Sequence, residues 1–400
     1  MQNNISFSAA DILLPKKDLS KWAVIACDQY TSEPHYWEKV KGIVADTESA
    51  YNLILPEVYL QDDNSGYIAK INDNMRQYLQ GDVFCEYKDA LIFVERIQSD
   101  GRKRLGIVGK IDLSSYDYLP GSDAEIRATE KTVISRIPAR VDIRKGASLE
   151  MPHAMLLYDD ESNSVMDIIE QNKEDLTEIY NFPLMLGGGS IKGSLIGEKT
   201  KKAIFDALAA IKNQNGGLLF CVGDGNHSLA AAKECYNQSQ NKNAKYALCE
   251  IVNIHDSALQ FEPIYRIVFG QSPETLIDAF KEYCDKFGSA DTVQEFECVY
   301  GDVHKSISVK ATSKLAVGTL QAFLDLYAQE CEIEVDYIHG EESLCALSKG
   351  ENAVGFLFGG MQKSELFPAV YSDGSLPRKT FSMGHADDKR FYLEARKISD

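Results

Sequence analysis

The chain has 400 residues, 44% hydrophobic and 26% charged, a composition typical of soluble globular proteins and long enough for two or three packing units. Its 60 acidic residues outnumber 42 Lys and Arg, and the net charge of -18 argues against general binding to nucleic acids. Any anionic ligand should therefore be small and held by a local basic pocket.

Targeting and cysteine patterns bear on the location of the protein. The first residues, MQNNISFSAADILLP, contain no basic segment followed by an apolar core, and no run approaches the roughly 20 apolar residues of a membrane span. Nine cysteines form no CxxC pair and most have apolar neighbours, which predicts reduced thiols and neither a zinc site nor a disulfide framework. We expect a cytoplasmic protein with no membrane partner.

The first half of the chain mixes predicted strands and helices. KWAVIACDQY reads as a strand, and residues 27–32 after it are either a second loop of a pocket or a turn rich in hydrogen-bonding groups. DALIFVERIQSDGRKRLGIVGKIDL predicts a β-hairpin that turns at Asp100-Gly101. LGGGSIKG lacks the spacing of a phosphate loop and of a dinucleotide fold, and is interpreted as a flexible connector.

A basic segment interrupts this acidic chain between residues 122 and 150. Its cations are Arg127, Lys131, Arg136, Arg140, Arg144 and Lys145. One interpretation is an exposed amphipathic helix that carries compensating charge, because charge runs usually face solvent. The other is a clamp for an anion.

Helices and strands also alternate in the last third of the chain. Helices are predicted in SPETLIDAFKEYCDKF, GTLQAFLDLYAQE and EESLCALSK, and strands in QEFECVYGD, KSISVKA, EIEVDYIHG and AVGFLFGG. The pattern lacks regular βαβ repetition and predicts an α+β (mixed α/β) fold. Near the end, LPRKTFSMGH is either an anion-binding loop or ordinary basic surface.

GGLLFCVGDGNHSLAAAKECY, residues 216–236, has the strongest functional signal. A strand up to Val222 is followed by a helix predicted to begin near Ser228, with Ser228 as its N-cap. The glycines between them permit a sharp bend, and the helix N-terminus suits phosphate or carboxylate. Asp224 and Asn226 either cap the turn while His227 bonds a carbonyl, or the turn supports acid–base chemistry or metal-assisted phosphoryl transfer.

Several motifs in a fixed order resemble the bacterial family named domain of unknown function 1015 (DUF1015). They are KWAVIACDQYTSEPHYW, VGDGNHSLAAA, CEIVNIHDSALQFEPIYRIV, VDYIHGEESL and GSLPRKTF. The family typically has Asp-Gly-His-His-Arg at the turn, where this chain has residues 224–228 as DGNHS, so Asp224 and His227 carry over. It commonly has Pro-Thr-His-Arg where this chain has PIYR, so Pro263 and Arg266 carry over.

The Asp-Gly-x-His turn is also similar to the ParB/sulfiredoxin-like superfamily, which includes nucleotide-binding partition proteins, sulfiredoxin and free serine kinases. This resemblance implies a ParB/sulfiredoxin-like core with flanking mixed α/β regions, a phosphate-handling pocket at the helix N-terminus, Mg²⁺ and a nucleotide, ATP or ADP. It further suggests three segments: residues 1–165, a core of residues 166–270, and an α+β region of residues 271–400 whose LPRKTF loop returns to the site.

We therefore predict an enzyme of small-molecule phosphoryl transfer between a nucleotide and a hydroxyl amino acid such as serine, in either direction, with a possible homodimer. Asp224 and His227 are the catalytic candidates, and Asp224 is also the candidate metal ligand. The candidates for binding substrate or phosphate are Gly223, Gly225, Asn226, Ser228, Arg136, Arg140, Arg266, Arg378, Lys379 and Thr380. The alternatives are a nucleotide-binding regulatory module without turnover and a nuclease, which the acidic charge disfavours.

Overall fold

The computed structural model describes residues 5–61, 63–132, 137–152, 154–238 and 242–398. Its helices are α1 (Leu19–Trp22), α2 (Pro34–Val44), α3 (Ser65–Gln80), α4 (Ile137–Lys145), α5 (Ser164–Gln171), α6 (Glu198–Gln214), α7 (Asn226–Gln238), α8 (Pro273–Phe287), α9 (Ala316–Glu330), α10 (Glu341–Leu347) and α11 (Leu366–Asp373).

The strands begin with β1 (Phe7–Ser8), β2 (Ala10–Pro15), β3 (Val24–Ile25), β4 (Phe84–Ala90), β5 (Ile92–Ile97), β6 (Lys103–Asp112), β7 (Tyr116–Asp117), β8 (Ile126–Ala128), β9 (Leu149–Glu150), β10 (Met155–Tyr158) and β11 (Leu176–Pro183). They continue with β12 (Ser190–Ile196), β13 (Phe220–Asp224), β14 (Tyr246–Asn253), β15 (Phe261–Phe269), β16 (Ser289–Tyr300), β17 (Val303–Ala311), β18 (Glu334–His339), β19 (Ala353–Phe358), β20 (Phe381–Met383), β21 (Phe391–Tyr392) and β22 (Arg396–Lys397).

These elements form two compact units. Unit 1 consists of residues 1–128, 132–259 and 384–400, and unit 2 of residues 129–131 and 260–383. Strands and helices are mixed in both units, as the α+β prediction required. The division into three segments stays a prediction.

Unit 1 is built on one large mixed sheet, ordered β11-β12-β5-β6-β14-β10-β13-β8-β7. One face is covered by helices such as α6, whose Ile204, Leu208 and Ile211 recur at helical spacing and are buried. The other face packs against the N-terminal layer, whose core includes Trp22 and Trp37. Both tryptophans of the protein are thus buried in unit 1, so tryptophan fluorescence reports on the folding of that unit.

Two sequence predictions in unit 1 have different outcomes. The predicted hairpin is confirmed, because β5 and β6 pair in antiparallel fashion and connect through the turn at Asp100-Gly101. The prediction that LGGGSIKG is a flexible connector was wrong, because its second half opens β12, which pairs with both β11 and β5. Three glycines precede the strand and obscured it, although Ile191 is buried in the core.

Unit 2 is built on an antiparallel sheet, ordered β17-β16-β19-β15-β18, with β20 paired to one end of β15. Helices α8 and α9 contribute Phe280 and Phe323, whose ring centroids are 5.1 Å apart. Phe280 also meets Phe296 of β16 edge to face at 5.1 Å. The helices and strands predicted in the last third of the chain, from α8 to β19, are confirmed.

The C-terminal segment returns to unit 1 and is anchored by buried charges. Its strand β21 pairs with β3, and β22 pairs with β9. Arg390 lies 3.3 Å from Glu250 Oε2 through Nη1 and donates from Nη2 to Glu394 Oε2 at 2.7 Å. Burial alone would lower the pKa of Arg390, but Glu394 and Glu250 raise it above its ordinary value. This ion cluster fixes the path of the chain on either side of Arg390.

The described residues also settle two simpler points. All nine cysteines are free, as predicted, and Cys221, Cys235, Cys249, Cys284 and Cys298 are buried. No helix within the described ranges is long and apolar enough to cross a membrane.

Candidate functional site

The DGNH turn, residues 224–227, joins β13 to α7 in unit 1. Helix α7 begins at Asn226, two residues earlier than predicted, because Leu229 N–H donates to Gly225 C=O at 2.9 Å and closes the first turn there. Ser228 is therefore a residue of the first helical turn and not its N-cap. His227 lies beside it, half-buried in the same turn. The first backbone N–H groups of α7 open toward this turn.

A β-bulge at Gly223 decides which way Asp224 faces. Val222 is opposite Leu156 on β10, but Asp224 is opposite Met155, so Gly223 has no residue opposite it. In a regular strand Asp224 would share a face with Val222, which is buried in the helical core. The bulge transfers Asp224 to the other face, the one on which Glu250 is paired with Met155.

The Asp224 carboxylate is only partly satisfied. Its Oδ1 accepts a hydrogen bond from Gly225 N–H at 2.9 Å, which is the capping contact of the structural interpretation. Its Oδ2 is buried without a hydrogen bond in the described part of the protein, and so is the Asn226 Oδ1. The Lys389 Nζ lies 3.5 Å from Asp224 Oδ2, and each of these side chains is 16% exposed. Two acceptor oxygens and one cation therefore meet at the N-terminus of α7.

Lys389 is held by its neighbours in the C-terminal segment. Asp388 accepts hydrogen bonds from Ser99 N–H at 2.8 Å and, through its carbonyl, from Arg104 Nη1 at 3.0 Å. Arg390 follows with its buried ion pairs. Since the residues on both sides are fixed, the ammonium group reaches Asp224 from a rigid support.

Helix α4 carries part of the basic segment to α7. Ile137 and Val141 of α4 pack against Ala230, Ala231 and Cys235 of α7, and the two alanines allow close approach. This packing brings Arg140 and Arg144, one turn apart on α4, to a cavity that Ser228 also lines. The position of Arg140 is compatible with the anion-clamp interpretation, which stays a prediction, whereas Arg127 lies opposite Cys221 of β13 and donates to Ala124 C=O at 3.0 Å.

This cavity measures about 150 Å³ and has mostly apolar walls. Arg140 donates to Glu57, and Arg144 donates to Glu150, so both guanidinium groups already hold carboxylates. Cys27 lines the same cavity, and the choice between a pocket loop and a turn for residues 27–32 stays open. Burial raises the pKa of the Cys27 thiol to about 12, and this thiol is therefore no nucleophile near neutral pH.

Arg266, Arg378, Lys379 and Thr380 belong to unit 2, whereas Asp224 and His227 belong to unit 1. Arg266 is fully buried and its Nε donates to Gln321 Oε1 at 2.9 Å. Its other nitrogens donate to the carbonyls of Arg378 at 3.0 Å and Lys379 at 2.9 Å, which fixes this loop. A role of Arg266 in binding phosphate stays a prediction.

The other residues predicted to bind phosphate are Thr380, Arg378, Lys379 and Arg136. Thr380 is buried, and its hydroxyl donates to Pro377 C=O at 2.7 Å. The cationic groups of Arg378 and Lys379 lie 5.1 and 5.3 Å from the ring centroid of Tyr337. Arg136 lies outside the described residues. The convergence of these groups on Asp224 stays a prediction.

Replacement of Gly225 by Ala is expected to destabilise unit 1 by about 2–5 kcal/mol. Gly225 has a φ of +80°, and an added Cβ would lie 2.9 Å from Ala154 Cα, so strain of about 1–2 kcal/mol adds to overpacking of about 1–3 kcal/mol. Gly217→Ala is the matched control, because Gly217 has a φ of +96° but open space around it. Urea unfolding followed by tryptophan fluorescence measures the free energy of unfolding of both variants. An equal loss of stability in the two variants would contradict the proposed clash.

Comparison with known proteins places the chain in a family. A family model described as protein of unknown function (DUF1015) matches residues 8–327. The chain belongs to the DUF1015 family. This match confirms the resemblance to DUF1015, whereas the ParB/sulfiredoxin-like core stays a prediction. No curated protein matches this DUF1015 chain.

Solved structures similar to the DUF1015 chain include a conserved hypothetical protein from Pyrococcus furiosus, with 14% identity and a TM-score of 0.37 over 73% of this chain and 95% of that one. A mutant free serine kinase in complex with ADP has 13% identity and a TM-score of 0.40, over 73% and 92% of the two chains. SbnI with a C-terminal truncation, from Staphylococcus aureus, has 10% identity and a TM-score of 0.37, over 69% and 82%.

Sequence reasoning missed Lys389 and most of the cavity of this DUF1015 protein. Lys389 stands in ADDKRFYLEARK, which has no recognisable motif, and its pairing with Asp224 depends on the C-terminal segment folding back onto unit 1. Glu57 and Tyr392 line the cavity from distant parts of the chain. A signal was present only for Tyr392, which lies in an apolar run between charged residues.

Proposed function

We propose that unit 1 binds a nucleotide and transfers a phosphoryl group between it and a hydroxyl amino acid such as serine, in either direction. One observation carries the proposal: Asp224 and Asn226 bury acceptor oxygens without hydrogen bonds in the described structure, at a helix N-terminus where Lys389 lies 3.5 Å from Asp224. Buried polar atoms are normally paired, so acceptors left in this state favour a site completed by a ligand.

The charges at this turn suit a phosphate group. Helix α7 directs backbone N–H groups and the positive end of its dipole to the turn, and Lys389 adds a full positive charge. Phosphoryl transfer requires mainly positioning and neutralisation of the phosphate oxygens. Gly223, Gly225 and Ser228 would contribute backbone or hydroxyl contacts in this proposal.

Mg²⁺ fits the same residues. The buried oxygens of Asp224 and Asn226 are the hard ligands that Mg²⁺ prefers, and this ion commonly uses one or two protein oxygens together with substrate phosphates and water. Within the described ranges no group of three His, Cys, Asp or Glu side chains could hold a metal ion. When bound, Mg²⁺ would neutralise phosphate charge.

Two side chains would transfer protons in this proposal. Asp224 would accept the proton of the attacking hydroxyl, and His227, one residue beyond Asn226 in the first turn of α7, would exchange protons with the substrate. The neighbouring cavity of about 150 Å³ has the size of a single ring system and could receive the nucleobase. Arg140 and Ser228 both line this cavity.

The proposal also includes the finer expectations from the sequence. These are a ParB/sulfiredoxin-like core, a cytoplasmic location, a homodimer, and phosphate contacts from Arg136, Arg266, Arg378, Lys379 and Thr380. They rest on motif resemblance and on composition.

Lys389→Met is expected to weaken the binding of ADP and ATP in the presence of Mg²⁺ by about tenfold, because a charge-assisted contact with phosphate is lost. Calorimetric titration of the full chain measures this change. Lys397→Met is the matched control, since Lys397 is in the same segment but 52% exposed. Nucleotide binding equal in both variants would contradict the proposed phosphate site, and binding without turnover would favour the regulatory module.

A further inference from the structure

Unit 2 contains a cavity of its own, of about 400 Å³, which is the size of a small-metabolite site. Helix α9 forms one wall through Gln321 and Asp325, and Tyr337 of β18 forms another. The loop before Thr380 adds Arg378, and the short segment 129–131 adds Lys131. The cavity is therefore assembled wholly within unit 2.

One side of this cavity is cationic. Neither Lys131 nor Arg378 has an ion pair with a carboxylate in the described part of the chain, although the protein carries a net charge of -18. The Arg378 guanidinium is 5.1 Å from the Tyr337 ring centroid, and this contact holds it at the wall. Both residues are exposed, and their positive charges favour an anionic group at this side.

The negative charge of Asp325 is positioned by the buried side chains of Gln321 and Arg266. Arg266, fully buried, donates from Nε to Gln321 Oε1 at 2.9 Å, and Gln321 Nε2 donates to Asp325 Oδ1 at 2.8 Å. The amide orientation of Gln321 is thereby fixed, because Arg266 can only donate. Asp325 itself is exposed, and its Oδ2, which makes no hydrogen bond within the described residues, is open to solvent or to a ligand.

We propose that this cavity binds a small zwitterion, with its carboxylate or phosphate toward Lys131 and Arg378 and its ammonium toward Asp325. A site with cations alone would accept any small anion, whereas fixed charges of both signs select a molecule that carries both. Free amino acids and phosphorylated amines have this chemistry. All residues that carry this proposal belong to unit 2, and it assigns Arg378 to this cavity in place of the phosphate contact expected from the sequence.

Calorimetric titration of the full chain tests this site. The probes are phosphoethanolamine and the standard α-amino acids other than serine, which is the proposed substrate of unit 1. The counter-probes are propionate, ethylamine and inorganic phosphate, each of which lacks either the positive or the negative charge. At least one zwitterion is expected to bind. Comparison of the affinities for amino acids and for phosphoethanolamine shows whether the site prefers a carboxylate or a phosphate. Failure of every zwitterion to bind, or equal binding of a counter-probe, would overturn the proposal.

Variants then locate the binding. Asp325→Asn and Arg378→Gln are expected to weaken the zwitterion by about tenfold or more, because each removes a charge-assisted contact. Glu330→Gln, on the same helix, and Lys349→Gln, an exposed lysine of unit 2, are the matched controls and should bind normally. If Asp224→Asn abolished binding of the zwitterion while Asp325→Asn bound it normally, the ligand would lie in unit 1 and this inference would be rejected.

Discussion

Asp224→Asn is expected to lower the rate of phosphoryl transfer by about a hundredfold or more, the range usual for loss of a positioned general base. The amide keeps the size of the side chain and can still accept from Gly225 N–H, so the bulge and the first turn of α7 should persist. It loses the charge that faces Lys389 and, in our proposal, the proton acceptor and the Mg²⁺ ligand. Initial rates with nucleotide, Mg²⁺ and serine or phosphoserine measure the loss.

The matched control for this variant is Asp167→Asn. Asp167 also lies in the first turn of a helix of unit 1, α5, but far along the chain from the DGNH turn. This change removes the same charge from a helix N-terminus and should leave the rate within about twofold of the wild type. If Asp224→Asn retained the same rate as Asp167→Asn, Asp224 would have no part in the chemistry.

Arg390→Met is expected to reduce the free energy of unfolding of unit 1 by about 3–5 kcal/mol, the cost of leaving a buried ion without its partner. The side chains of Glu250 and Glu394 are at most 1% exposed, and both face Arg390. Methionine fills much of the same volume but leaves Glu394 without its cation and Glu250 dependent on Arg104, 3.5 Å away. Urea unfolding followed by tryptophan fluorescence measures the loss, because Trp22 and Trp37 both lie in unit 1.

Lys16→Met provides the comparison for a surface ion pair. Lys16 and Asp82 pair in solvent, with side-chain exposures of 37% and 92%, and loss of such a pair usually costs less than about 1 kcal/mol. Similar losses in the two variants would show that the cluster around Arg390 does not anchor the C-terminal segment. Because that segment carries Lys389, a destabilised Arg390→Met protein should also bind nucleotide more weakly at equal concentration.

Local patterns predicted much of the fold. The hairpin β5–β6 and the elements from α8 to β19 followed from alternation, helical spacing and turn residues, because their apolar faces are continuous along the chain. The strand β12 was missed, since three glycines hide the start of its alternation. The start of α7 was misplaced by two residues, because Asn226 and His227 are weak helix formers that the turn geometry nevertheless places in the helix.

The candidate site was predicted only in part. The position of Asp224 at the end of a strand and before a helix could be read from DGNH and its neighbours. The bulge at Gly223 could not, because it depends on the register of β13 against β10, and that bulge alone determines the face that Asp224 occupies. Lys389 could not be predicted either, since an ion pair between distant segments leaves no local pattern.

The most direct test of phosphoryl transfer at the DGNH turn uses ³¹P NMR. Full-length protein is mixed with Mg²⁺, serine and either ATP or ADP, and in the reverse direction with phosphoserine and ADP or AMP, and ³¹P NMR spectra are recorded over time. We expect that the nucleotide phosphate resonance decreases while the phosphoserine resonance grows in the forward direction, or that the phosphoserine resonance decreases while a nucleotide phosphate resonance grows in the reverse direction. Asp224→Asn should prevent either change. Unchanged spectra in both directions, with nucleotide bound to the wild-type protein, would contradict phosphoryl transfer at the DGNH turn.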